Sequence, residues 1–433
     1  MGSDVGNAKD WVERDRAVVW HGFTQMDAFA DNAPLIVERA EGAYLIDVAG
    51  NRYLDAISSL WVTTLGHRVP ELDAALRDQI DRVAHSTLLG NGSAVVVELA
   101  EALADVVPVD QPHFLFASDG AAAVEQALKI AFQYWVNLGV TGRTTYLAFG
   151  GAYHGDTVGS LSVGAGGFGT DLFDPLRFPV VRGPGFDESG WAEAAAAIIT
   201  DRANELAAVV IEPLVQGAAG MVLAAPEDVQ LIAEACRTSD VLLIADEVAT
   251  GFGRTGTLFA SEQCGITPDL LCLGKGLTGG YLPMSVTVAS DRVYRAFLGP
   301  DLSEKTFYHG HSFSGNALAA AVALRHLELV AEWNVLDNVN ARATQLSALL
   351  ADEIAPRTEV RDVRQRGLMC GVELNPPADG LRWGRRVCAA AVERGVLLRP
   401  LGDVVVLMPH LTVTADQIDE IVRVLGEAID EVA

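Results

Sequence analysis

Residues 242–280 read LLIADEVATGFGRTGTLFASEQCGITPDLLCLGKGLTGG. Two short apolar runs lie in or at the edge of this stretch, Val241–Ala245 and Leu270–Leu273, and each leads into a residue that carries chemistry. Asp246 follows the first run, and Gly274-Lys275-Gly276 follows the second. Runs this short, bounded by Asp, Pro and Gly, read as parallel strands covered on both faces. The pattern recurs at His113–Ala117, Thr145–Phe149, Ala208–Ile211 and Ser285–Ala289. Helical periodicity fills most of the gaps, at Ala121–Leu138, Ala192–Leu206 and Glu227–Ser239. This alternation predicts an α/β fold with a mainly parallel sheet. Such sheets bind ligands beyond the carboxyl ends of their strands, so residues just after each strand are the candidates for function.

Lysine occurs only as Lys9, Lys129, Lys275 and Lys305. Only Lys275 follows directly on an apolar strand, and its flanking glycines let a planar ligand come close to the backbone. A desolvated lysine has a lowered pKa and forms an imine with an aldehyde. The competing reading is a solvated surface lysine. Asp246, at a strand end, is placed to pair with a protonated ring nitrogen or simply to cap a helix. Glu247 competes with it, but strand alternation points Glu247 to the opposite face. Asp119-Gly120-Ala121 opens an Ala-rich helix, where free N–H groups and the positive helix end form an anion cup. Ser118 or Asp119 as a plain helix cap is the bland alternative. Tyr153-His154-Gly155-Asp156 follows another strand; Tyr153 is placed to stack on a ring, Asp156 to orient a hydrogen-bond network, and His154 reads as structural.

Half of the 433 residues are apolar, a fifth are charged, and the formal net charge is −26. This is a well-buried globular composition whose surface repels nucleic acid and anionic lipid, so neither is expected as a partner. The five cysteines are dispersed without C-x-x-C spacing, which supports neither a disulfide framework nor a zinc site, and Cys272 reads as a core residue. His309-Gly310-His311 is the only close histidine pair and lacks a third ligand at a usual spacing, so no metal site is expected. With neither a signal-peptide pattern nor a long apolar run, a cytoplasmic location is expected. The chain divides softly into 1–66, 67–320 and 321–433. The first segment mixes short strands and turns, the second is the large α/β unit, and the third is α+β with strands at Gly371–Leu374 and Val404–Met408 and a helix at Ala415–Val432. The first and last segments are expected to form one smaller domain.

Taken together, the Asp246 run, the GFGRTG loop and the Lys275 run resemble the class III aminotransferases of the pyridoxal-phosphate-dependent fold type I enzymes, and the resemblance covers about Val18 to the C-terminus. It implies pyridoxal 5'-phosphate held as a Schiff base on Lys275, with Asp246 paired to the ring nitrogen. Val248 and Tyr153 would lie against the two ring faces, and Gly120 and Ala121 would bind phosphate through their N–H groups. Glu212 and Gln216 would lie near the phenolic oxygen. Ser312, in HGHSF, would reach the phosphate of a partner subunit, which implies a homodimer with shared active sites. Within the class, WHGFTQM (20–26), SSLW (58–61), ALKIAFQYW (127–135), GAYHGDT (151–157) and LLRPLG (397–402) resemble the 7,8-diaminopelargonic acid synthases of biotin biosynthesis. That likeness implies Phe23, Trp61, Tyr153 and Arg399 as substrate-binding residues, with Arg399 taking the substrate carboxylate. The chain departs from the pattern at Gly22, where proline is usual, at the Ser118–Ala121 cup, and at Val406, where an aromatic is frequent. The alternative is a broad ω-aminotransferase acting on diamines or amino acids.

Overall fold

The computed structural model describes residues 8–32, 34–167 and 169–433. Its centre is a seven-stranded sheet in the order His113–Ala117, Ser285–Ala289, Leu270–Leu273, Leu242–Asp246, Leu206–Ile211, Thr145–Phe149, Val181–Gly183. Pairings from Leu270–Leu273 outward to Val181–Gly183 are parallel. Ser285–Ala289 runs antiparallel to both neighbours. The alternation of side chains along the inner strands explains their continuous apolarity. Val209, Ile211 and Leu243 enter one core with Ile199 and Ile232, from the helices Trp191–Asp201 and Pro226–Thr238. Val210, Leu242 and Ile244 enter a second core with Ala123, Ala127 and Ala131 of the helix Gly120–Asn137. A sheet covered on both faces has no polar face to alternate with.

The two chain ends meet in smaller sheets. Val37–Glu41, Tyr44–Asp47 and Arg52–Asp55 form an antiparallel meander, and Val396–Leu397 adds to it in parallel beside Arg52–Asp55. Val360–Arg366, Met369–Leu374, Val404–Leu407 and Arg399–Leu401 form a second, antiparallel sheet. One core joins Leu54 to Val396, Val339 and Leu425. The final helix spans Ala415–Val432 as expected, started by a capping box in which Thr414 Oγ accepts from the Gln417 N–H and Gln417 Oε1 accepts from the Thr414 N–H.

Several elements differ from the sequence expectation: Ser285–Ala289, read with the parallel strands, is antiparallel because an apolar run carries no direction. The helix expected over Ala192–Leu206 ends at Asp201, and Leu206 begins the next strand, because the apolar run LAAVVI is wholly buried in the sheet. The edge strand Val181–Gly183 has only three residues between prolines, too little pattern to read from sequence. Among the described residues no helix is long and apolar enough to cross a membrane. All five cysteines are free and buried, Cys272 fully so in the sheet core.

Candidate active site

The carboxyl ends of the parallel strands bring the candidate residues together. Asp246 ends its strand, Glu212 follows Leu206–Ile211, and Lys275 follows Leu270–Leu273 after one glycine. Lys275 sits at φ 42°, a left-handed conformation that a non-glycine residue holds only under constraint. Its Nζ lies 4.9 Å from the centroid of the Trp61 ring. Burial lowers the pKa of this amine, the carboxylates of Asp246 and Glu212 pull it back up, and Arg254 adds to the lowering.

Asp246 is buried and doubly held. Its Oδ2 lies 2.7 Å from His154 Nδ1, and its Oδ1 accepts the Val248 N–H at 3.1 Å. His154 is fully buried; burial works against its charge, but the hydrogen bond and charge of Asp246, with Glu212 behind, raise its pKa on balance. Glu212 accepts the N–H groups of Tyr153 at 3.0 Å and Gly217 at 3.3 Å. Desolvation nonetheless pushes its carboxyl up to about 7; the charge of Asp246 adds to the rise, and His154 opposes it. Gln216 donates to the Gly150 carbonyl at 2.8 Å. The Tyr153 hydroxyl donates to Asp156 at 2.8 Å.

The start of the helix Gly120–Asn137 closes one wall. Asp119 is its cap, accepting the Ala122 N–H at 2.9 Å, which leaves the first amides, Gly120 and Ala121, without an intrahelical acceptor. A Cβ at Gly120 would meet Val248 Cγ1 at 2.7 Å, so only glycine lets Val248 and the helix start come this close. Gly155 is needed for the same reason: at φ 122° its Cβ would be 2.5 Å from Ala121 Cβ.

Glu247 is accounted for elsewhere. Its buried carboxylate accepts the Ala260 and Ser261 N–H groups at 2.6 and 2.8 Å and the Thr250 hydroxyl, and so anchors the chain beyond the GFGRTG loop, facing away from Asp246. The remaining candidates are less enclosed. Phe23 is 67% exposed and lines a cavity of about 80 Å³ with Ala152, Tyr153 and Leu161. Ser312 is exposed, and its carbonyl accepts from His85 Nε2 at 2.6 Å. Arg399 is exposed on its short strand, opposite Val406, and forms no ion pair among the described residues. Val406 is wholly buried in the core that holds Trp61.

Three features escaped the sequence reading. His154 touches Asp246, a contact across the sheet with no signal in spacing. Arg254 of the GFGRTG loop is fully buried, donates to the carbonyls of Pro409 and Thr63 at 2.6 and 3.2 Å, and is pushed by burial down to about 9; its place between Asp246 and Lys275 was the available clue. Asp55, His67 and His410 bring three ligand-type atoms within 4.8 Å of one another, from positions too far apart in the chain to form a motif.

A half-buried lysine facing an aromatic ring, a fixed carboxylate at a neighbouring strand end and a helix N-terminus with free amides fit an anionic aromatic aldehyde. Buried Trp61 Nε1 and His154 Nε2, without partners among the described residues, leave polar capacity unfilled. Residues 26–429 match the class-III aminotransferase family, and the chain belongs to it. Members of this family are pyridoxal-phosphate-dependent aminotransferases. Among its relatives, the adenosylmethionine-8-amino-7-oxononanoate aminotransferase of Nitratidesulfovibrio vulgaris is 44% identical over 96% of this chain and 80% of its own length. That of Aquifex aeolicus is 40% identical over 96% of each. The crystal structure of the Methanocaldococcus jannaschii enzyme of the same name superposes with a TM-score of 0.95 at 39% identity, covering 98% of this chain and 99% of that one. An (S)-enantioselective omega-transaminase from Thermomicrobium roseum superposes with a TM-score of 0.91 at 33% identity, covering 98% and 99%.

Proposed function

We propose that this chain transfers an amino group to 8-amino-7-oxononanoate, giving 7,8-diaminononanoate for biotin biosynthesis. The observation that carries the chemistry is the half-buried Lys275 at a strand end, its amine facing the Trp61 ring. The relatives named for this reaction, matched over nearly the whole chain, support the substrate.

Bound pyridoxal 5'-phosphate supplies an electron sink for the carbon that bears the amine. Gly120 and Ala121 hold its phosphate through N–H groups at the helix start. Asp246 would keep the ring nitrogen protonated, and His154 and the Val248 N–H fix the direction of its carboxylate. Val248 and Tyr153 would confine the cofactor ring, and Glu212 and Gln216 would stand by its phenolic oxygen. Lys275 would hold the cofactor through Nζ and would move a proton at that atom; burial lowers the pKa of this amine and so favours its neutral form relative to a solvated lysine. Phe23, Trp61 and Tyr153 flank the substrate chain, and Arg399 offers a bidentate fork to its carboxylate. Ser312 completes the phosphate site of a second copy, so the working form is a homodimer in the cytoplasm, built from segments 1–66, 67–320 and 321–433. Exposed Tyr308 and Phe313 beside Ser312 support a covered surface there.

The second reading, a broad ω-aminotransferase, draws on the Thermomicrobium roseum likeness and on Val406 in place of an aromatic. A half-reaction screen separates the two. The expected result is that S-adenosylmethionine or lysine discharges the visible absorbance of the bound cofactor and 8-amino-7-oxononanoate restores it. If simple ω-amines react and 8-amino-7-oxononanoate does not, the broad reading replaces the first.

A further inference from the structure

Between Ile57 and Val62 the backbone takes a conformation that side chains resist. Ser58, Ser59 and Trp61 have φ of 51°, 61° and 65°, three non-glycine residues in the left-handed region within four positions. Such strain persists only where surrounding contacts over-determine it. Here the contacts run to Asp55, a wholly buried carboxylate. Its Oδ1 accepts the Ser59 N–H at 2.8 Å and its Oδ2 accepts the Ser59 hydroxyl at 3.0 Å. The same Oδ2 lies 2.9 Å from His67 Nε2 and 3.7 Å from His410 Nε2. Ser58 Oγ donates to the Met408 carbonyl at 2.7 Å, so the turn is also tied to the strand end that leads to His410. Trp61, at the end of the turn, carries the ring that faces Lys275 Nζ.

The trio of Asp55, His67 and His410 has the ligand types of a metal site, and His410 Nε2 is buried without a close partner. The charges argue otherwise. Arg254 is fully buried and near enough for its charge to act on His410 and for that of Asp55 to act on Arg254. A divalent cation would leave two cations buried against one carboxylate, and Asp55 Oδ2 is already engaged by Ser59 and His67.

We propose that Asp55, held by His67, is a positioning residue that locks the strained Ser58–Trp61 turn and thereby fixes the Trp61 ring over the Lys275 amine. The inference rests on the aminotransferase reading only for its kinetic consequence; the lock itself is a property of the chain. Asp55→Asn keeps the shape but weakens acceptance from Ser59 and His67. In that variant, amide hydrogen exchange of residues 57–62 rises at least tenfold over wild type, while the strand Leu206–Ile211 is unchanged. KM for the amino substrate rises about tenfold with a smaller change in kcat, and Asp55→Asn adds little to Trp61→Phe in the double variant. Ser59→Ala, a milder change that spares the buried carboxylate, shows the same exchange pattern at smaller amplitude. Unchanged exchange at 57–62 in both variants overturns the lock, whatever the substrate proves to be. Fully multiplicative KM effects of Asp55→Asn and Trp61→Phe overturn the link to Trp61. Saturable protection of residues 57–62 by zinc, lost in Asp55→Asn, overturns the charge argument in favour of a metal.

Discussion

The two groups of candidate site residues are built differently. On one side, Asp246, His154 and Glu212 are buried and held largely by atoms of the same chain, with the half-buried Gly120–Val248 contact at a helix start beside them. On the other, Phe23, Arg399 and Ser312 are exposed, and Tyr308 and Phe313 stand 68% and 61% exposed beside Ser312. The first side needs no further piece to hold its geometry. The second consists of exposed side chains to which the proposed function gives partners outside the chain: a substrate for Phe23 and Arg399 and a second copy for Ser312. A fixed small group suits the rigid ends of a parallel sheet, whereas groups that meet a substrate arriving from solvent must stay open until it arrives. Trp61 belongs to both sides, since it is buried yet lies on a strained turn.

Lys275→Ala is the sharpest way to break this contrast. No other lysine stands at a strand end, so the variant is expected to fold, lose the visible absorbance of lysine-bound cofactor and slow turnover on the order of 10^4-fold. Turnover within tenfold of wild type would remove Lys275 from the chemistry. Asp246→Asn comes next. The amide leaves a protonated ring nitrogen without its counter-charge, at a cost of about 3 kcal/mol in the barrier, roughly a hundredfold in kcat. The rival carboxylate, Glu247, is committed to Ala260 and Ser261, so an unaffected rate in Asp246→Asn would refute the proposed ring site rather than shift it by one residue.

Glu212 tests whether the buried side is held at an electrostatic cost. Its folded pKa is raised from 4.5 to about 7. A raised pKa means that the folded protein binds the proton more tightly than the unfolded chain. The stabilisation is therefore fully present below the unfolded value and is lost as pH climbs through about 7. In the cofactor-free protein, wild type is expected to lose stability relative to Glu212→Gln between these limits, by about 3 kcal/mol at most. Denaturant melts at a series of pH values measure it, and parallel pH profiles would show that Glu212 is ionised throughout.

Arg399→Ala probes the open side, and its effect falls on binding of one substrate. Losing a charged fork costs about 1.5–3 kcal/mol of binding, or roughly 10- to 150-fold in KM for the carboxylate-bearing acceptor. The half-reaction with the amino donor is expected to stay within about threefold. Equal losses in both half-reactions would make Arg399 a structural residue and reduce the contrast between the two sides to a difference in exposure alone.

Much of the buried side is legible in the order of the amino acids. Strand positions are readable because a run of four to six apolar residues between Asp, Gly and Pro has few other uses. The special character of Asp246 and Lys275 is readable because a polar residue directly beyond such a run faces the cleft. The antiparallel course of Ser285–Ala289 is not readable, since an apolar run looks the same in either direction. Strand Val181–Gly183 is too short to show a period.

The sequence by itself determined the alternating architecture and the identity of the residues at the sheet's edge, because both depend on local period and on order along the chain. Only the tertiary structure decided that His154 lies against Asp246, that Trp61 faces Lys275, and that Asp55, His67 and His410 gather beneath the turn that carries Trp61. Each of these contacts joins residues that no local period relates. Packing of the sheet, its loops and the two chain ends sets the distances between them.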